Sequence, residues 1–185
     1  LFTAIDPAGG SDSLGDMNQS DLTIHSTTDN NVFIGEDSIN VTRGSDYTDE
    51  MIINHLQRIR EIENCENSSL VVAIEGNLGL EASRIEHSIV KSGKFERIIF
   101  MSDFTFKKGV KMNKANKIAM MELARYALEK NELSIHKDLV SENPQKNLDA
   151  LKQQLLNYEF VPKEKIAENG LKTMTWTLSG KLTSV

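Results

Sequence analysis

The stretch that most constrains this chain is residues 70–77, Leu-Val-Val-Ala-Ile-Glu-Gly-Asn, an unbroken apolar run closed by one carboxylate and a glycine. A short run rich in Val and Ile predicts a strand covered on both faces, as at the centre of a parallel α/β sheet. Such a strand delivers Glu75 to its carboxyl end. There the next loop leaves the sheet, backbone can approach a ligand, and open α/β sheets gather their chemistry. The first six residues, Leu-Phe-Thr-Ala-Ile-Asp, repeat the pattern and end in Asp6 before Pro7-Ala8-Gly9-Gly10. If the two strands are neighbours, two carboxylates converge.

The segments between them fix how the strands are connected. After a Gly-, Ser- and Asp-rich loop to about Ser20, residues 21–26 alternate Leu22 and Ile24 as a strand, and the turn Thr28-Asp29-Asn30-Asn31 leads into a third strand over 32–41. The short turn makes these two antiparallel partners. Ser45 and Asp46 precede a helix whose inward face is Met51, Ile52, His55, Leu56, Ile59 and Ile62. Beyond the central strand, a helix over about 80–91 turns Ala82, Ile85 and Ile89 to the sheet, Gly93 caps it, and residues 97–101 form another short strand. Sequential strands tend to be neighbours and parallel crossovers are right-handed. The order three strands, helix, strand, helix, strand then gives a mixed five-stranded α/β sheet, three antiparallel strands followed by parallel ones, in the ribonuclease H-like arrangement. In it the first and fourth strands lie side by side and parallel. The remaining expectations are a Lys-bearing loop over 104–112, a helix over 113–129, a short strand over 133–136, an amphipathic helix over 144–158 and a last strand over 174–178 around the only Trp.

A chain of 185 residues is long enough to bury one sizeable core, and it is expected to fold as a single domain. The lone Cys65 has no disulfide partner, the four His lack zinc-ligand spacing, and no apolar run is long enough to cross a membrane. Because the sequence opens with Leu1 inside a strand, it reads as an excised piece of a longer polypeptide. A net charge of −6 argues against coating nucleic acid by bulk attraction, so any DNA contact is local.

Two carboxylates a few ångströms apart stay ionised cheaply only around a shared cation, so such a pair marks a shared proton or a divalent metal. Oxygen ligands suit Mg²⁺ or Mn²⁺, and two such ions about 4 Å apart stabilise both oxygens of an in-line phosphoryl displacement. Singly, Asp6 and Glu75 read as polar strand ends; together they read as a metal site acting on a phosphodiester. Asp12, Asp16 and Asp21 lack the Gly and closing Glu of a calcium loop and read as turn residues. Glu36, on the third strand, could lie near the site, and Asp103 ends the fifth strand on the wrong side; both are expected to be charges on the surface or just behind the metal-binding acids. Between 106 and 118 the charge reverses: Lys107, Lys108, Lys111, Lys114 and Lys117 stand without an acid, a strip that suits backbone phosphates, with Lys181 as a possible member. No aromatic residues interleave it for stacking on single strands, which favours duplex DNA.

Ala4-Ile5-Asp6-Pro7-Ala8, Val72-Ala73-Ile74-Glu75-Gly76-Asn77 and Met112-Asn113-Lys114, in that order, resemble segments of the nuclease domain of herpesvirus-type DNA-packaging terminase large subunits. Thr177-Leu178-Ser179-Gly180-Lys181 is similar to the stretch that shortly precedes a pair of aspartates in that family. The resemblance implies a two-metal endonuclease that cuts concatemeric viral double-stranded DNA during packaging, with Asp6 and Glu75 as catalytic, metal-binding acids. It also implies other terminase subunits and the capsid portal as partners, the host nucleus as location, and a third acid beyond Val185. No phosphate-binding loop of the Walker type occurs, so the packaging ATPase is expected upstream. Two other classes fit the element order: an actin-like nucleotide-binding half-domain, with Gly9-Gly10-Ser11 as phosphate cradle, and a non-catalytic docking module.

Overall fold

The computed structural model describes residues 1–7, 21–62, 65, 67–76, 80–102, 109–111, 113–140, 149, 159–166 and 172–179. They fall into two compact units, Leu1–Pro144 and Gln145–Val185. In the first, strands β1 (Phe2–Asp6), β2 (Asp21–Thr27), β3 (Val32–Asn40), β4 (Leu70–Ile74), β5 (Ile98–Phe100) and β6 (Ser134–Val140) form one sheet in the order β5-β4-β1-β2-β3-β6. β1, β2 and β3 pair antiparallel, whereas β4 lies parallel to β1 and β5 parallel to β4. This is the ribonuclease H-like arrangement expected from the sequence. The sheet has six strands rather than five, because the short strand expected near 133–136 runs on to Val140 and docks parallel along β3.

One face of the sheet holds the core. Ile5 on β1, Leu22 and Ile24 on β2, Ile34 and Ile39 on β3, and Leu70, Val72 and Ile74 on β4 pack beneath two helices, α1 (Ser45–Arg60) and α2 (Leu80–Lys91). The helices contribute Ile52, Leu56 and Ile59, then Ala82, Ile85 and Ile89, the residues whose 3.6-residue spacing had turned them inward. Arg84 of α2 is hydrogen-bonded to Asp49 of α1 and to its own Glu81, tying the helices together. Gly44, not Ser45, is the N-cap of α1 and supplies no side chain to it. Gly93, at φ +63°, follows α2 and donates its N–H to the carbonyl of Val90, the left-handed position that glycine takes without strain. Among the described residues no helix is long and apolar enough to cross a membrane.

Helix α3 (Lys114–Glu129) completes the described elements of the first unit. In the second unit, β7 (Glu159–Ile166) and β8 (Lys172–Ser179) form an antiparallel hairpin with Pro162 opposite Trp176. The helix expected over 144–158 lies outside the described residues except for Asp149.

Candidate active site

The two apolar strands end side by side. Ile5 pairs with Ile74 across the parallel β1/β4 ladder, and the N–H of Glu75 continues it by donating to the carbonyl of Ile5 at 2.8 Å. Asp6 and Glu75 therefore occupy the next position on adjacent strands, which lie about 4.8 Å apart. Side chains alternate along a strand. Since Ile5 and Ile74 are 2 % and 3 % exposed on the core side, both acids belong to the opposite face. Asp6 is exposed and Glu75 half-buried.

A second segment holds the Glu75 side of this tip. Val110 donates to the carbonyl of Ile74 at 2.7 Å and accepts from Gly76 at 2.9 Å, a parallel bridge opposite Glu75. The preceding Gly109 has φ +84°, and a Cβ there would lie 2.8 Å from both the Ile74 carbonyl oxygen and the Gly76 Cα. Only glycine fits such an approach. Glu75 is thus clamped between Ile5 on one flank and Val110 on the other. Exposed Lys111, of the predicted basic strip, follows Val110 immediately.

The fold recurs in solved structures. Human cytomegalovirus terminase nuclease domain, manganese-soaked with an inhibitor bound, superposes with a TM-score of 0.64 at 17% identity over 85% of this chain and 72% of that one. The same domain described without soak or inhibitor gives 0.63 at 16% over 85% and 73%, and the manganese-soaked domain 0.59 at 15% over 82% and 72%. The fold is that of a viral terminase nuclease domain. Sequence comparison with family models and with curated proteins gives no match.

Within this terminase-nuclease fold, the acid-bearing face carries further titratable groups. His25 stands opposite Ala4 on β1 and Glu36 on β3, while Asp6 stands opposite Thr23, so His25 is the diagonal neighbour of Asp6 on the same face. Burial depresses the His25 pKa, the charge of His55 lowers it further, and Asp6 pulls it back up. Glu36 is 8 % exposed, so it is buried on this face and not a surface charge. Burial, aided by the charge of Asp37, raises its pKa to about 7. Strand parity puts it there, and a one-dimensional pattern of charges does not reveal parity across three strands.

The core face holds what sequence reasoning missed. His55 and Asp37 are 0 % and 2 % exposed, and the ring donates from Nδ1 to Asp37 Oδ2 at 2.6 Å. Arg58 Nη2 donates to the same oxygen at 2.7 Å. On its other side His55 Nε2 is hydrogen-bonded to the Ser26 hydroxyl at 2.8 Å, and Ser26 in turn meets Thr3 Oγ1 at 2.9 Å. This Ser-His-Asp order has the elements of a nucleophilic triad, but every member is sealed in the core. It is a polar strut joining β1, β2, α1 and β3. Gly35 makes room for it, since a Cβ there would lie 3.0 Å from His55 Cε1 and from Ile59 Cγ2.

Asp6, Glu75 and Lys111 are brought to one end of the sheet. Lys114 and Lys117 begin α3, their side chains undescribed, and Asp12, Asp16, Asp103, Lys107, Lys108, Lys181 and the Gly9-Gly10-Ser11 loop lie outside the described residues. Among the described residues no group of three or more His, Cys, Asp or Glu is arranged to hold a metal ion. What they supply is a pair of oxygen donors in adjacent register, a donor set suited to the hard cations Mg²⁺ and Mn²⁺.

Proposed function

We propose that this chain is a metal-dependent endonuclease that cuts concatemeric viral duplex DNA during genome packaging. The observation that carries the proposal is the register of Asp6 and Glu75: two acids at the carboxyl ends of adjacent parallel strands, on one face, in the fold of a terminase nuclease domain. Asp6 and Glu75 would hold the divalent ions, Mg²⁺ or Mn²⁺, together with a third acid from beyond Val185. When bound, two such ions supply Lewis-acid stabilisation of an in-line phosphoryl displacement.

The chain itself positions the reactants. The Ile5 carbonyl and the Val110 backbone fix the main chain of Glu75 in the sheet, and Asp6 ends a strand paired on both edges, so the backbone that carries the two carboxylates is set before substrate arrives. Lys111, followed by Lys114 and Lys117, offers phosphate contacts that set where the duplex lies without reading its sequence. Other terminase subunits and the capsid portal are the proposed partners, and the host nucleus the proposed place of action.

Nicking of supercoiled plasmid in Mn²⁺ or Mg²⁺, by a version of the chain extended past Val185, tests this reading. Asp6→Asn and Glu75→Gln should each lower the rate by at least about 10²-fold, the scale of losing a group that stabilises transition-state charge. Unchanged nicking in both variants would remove the pair from the mechanism.

A further inference from the structure

On the sheet face that carries the two acids, one side chain is placed to act on Asp6. β1 and β2 pair Asp6 with Thr23 and Ala4 with His25. Diagonal neighbours on one face of an antiparallel pair stand about 7–8 Å apart at Cα, within reach of a ring. Asp6 and His25 have that relation, and the charge of Asp6 is felt at the imidazole.

The ring is braced from the far side by an irregularity in β3. Ser26 pairs with Gly35 and Thr27 with Phe33, so Ile34 is skipped in the ladder. That one extra residue lets Ile34 turn into the core, where it is 1 % exposed, and swings Phe33 onto the face of His25. The two ring centroids are 6.0 Å apart at 45°. A regular strand would have buried Phe33 under α1 and left His25 unsupported. Bulges that re-aim a side chain are common beside active sites.

We propose that His25 is a positioning residue of the acid site, a braced imidazole that orients the Asp6 carboxylate for a divalent cation. The proposal rests on the nuclease reading, and it adds a residue that neither motif spacing nor the acid pair identifies. Carboxylates that bind metals are themselves held by neighbouring polar groups, and removing such a neighbour typically weakens metal binding 10- to 100-fold.

The test is calorimetric titration of Mn²⁺ into the 185-residue chain and into His25→Ala, His25→Gln and Asp6→Asn, each first shown by thermal melting to be folded. His25→Ala should raise the Mn²⁺ dissociation constant by about 10-fold or more. His25→Gln, which keeps a donor of similar reach, should recover most of the loss; a role confined to packing against Phe33 predicts no such recovery. It also serves as the test variant if alanine does not fold. Mn²⁺ affinity within about twofold of wild type in both His25 variants, with Asp6→Asn impaired, overturns this inference alone. Equal affinity in wild type and Asp6→Asn overturns the nuclease reading and this inference with it.

Discussion

At the scale of single residues, the buried polar strut and the buried acid make opposite demands. Asp37 accepts from both His55 and Arg58 on one oxygen, so Asp37→Ala strands a fully buried imidazole and a guanidinium. Breaking such a set from one side costs about 3 kcal/mol, read as a lower urea midpoint; a loss under about 1 kcal/mol would mean the strut carries little. Glu36 works the other way. Its folded pKa of about 7 lies above the model-compound value of 4.5, so the unfolded chain ionises first as pH rises. The stability it contributes is fully present below pH 4.5, is lost between there and about 7, and is gone above that. Glu36→Gln should flatten this fall and raise stability at pH 8 by on the order of 2 kcal/mol, measured by denaturant unfolding across pH. The sequence made His55 legible as an inward helical position but not as the partner of Asp37, because only the fold brings α1 over β3. His25 was illegible for a related reason: its meaning lies in register across strands, not in spacing along one.

At the scale of elements, the acid-bearing strands were the most legible part. An apolar run ending in one carboxylate, twice, with a hairpin and a helix between, leaves few ways to connect a sheet, and the parallel β1/β4 pair follows. Less was visible where tertiary pairing decides the outcome. β6 carries a charged Lys-Asp pair that hides its extent, and β7 contains Pro162, which removes a ladder donor and reads as a break. The bulge at Ile34 had no signal beyond consecutive apolar residues. The clamp on Glu75 was equally hidden, since Gly109 looks like any loop glycine until its φ of +84° and its approach to the Ile74 carbonyl are seen. Gly109→Ala should push the segment off the end of β4. A fall in melting temperature together with reduced nicking is expected; wild-type values for both would show that Glu75 does not depend on the clamp.

For the whole molecule, charge is the organising quantity. A chain of net charge −6 meets a polyanion only through a local reversal, and the run from Lys107 to Lys117 is that reversal. Replacing Lys111 and Lys114 together with alanine should weaken duplex binding similarly for all sequences and flatten the slope of log affinity against log salt by roughly 2. An unchanged slope in fluorescence-anisotropy titrations would place the DNA elsewhere. What decides the role of the acid pair is where a divalent ion settles. Crystals of the chain soaked in Mn²⁺ and measured at the manganese absorption edge address this directly. An anomalous peak coordinated by Asp6 and Glu75 is the predicted result; manganese bound at other carboxylates while this pair stays bare would contradict it.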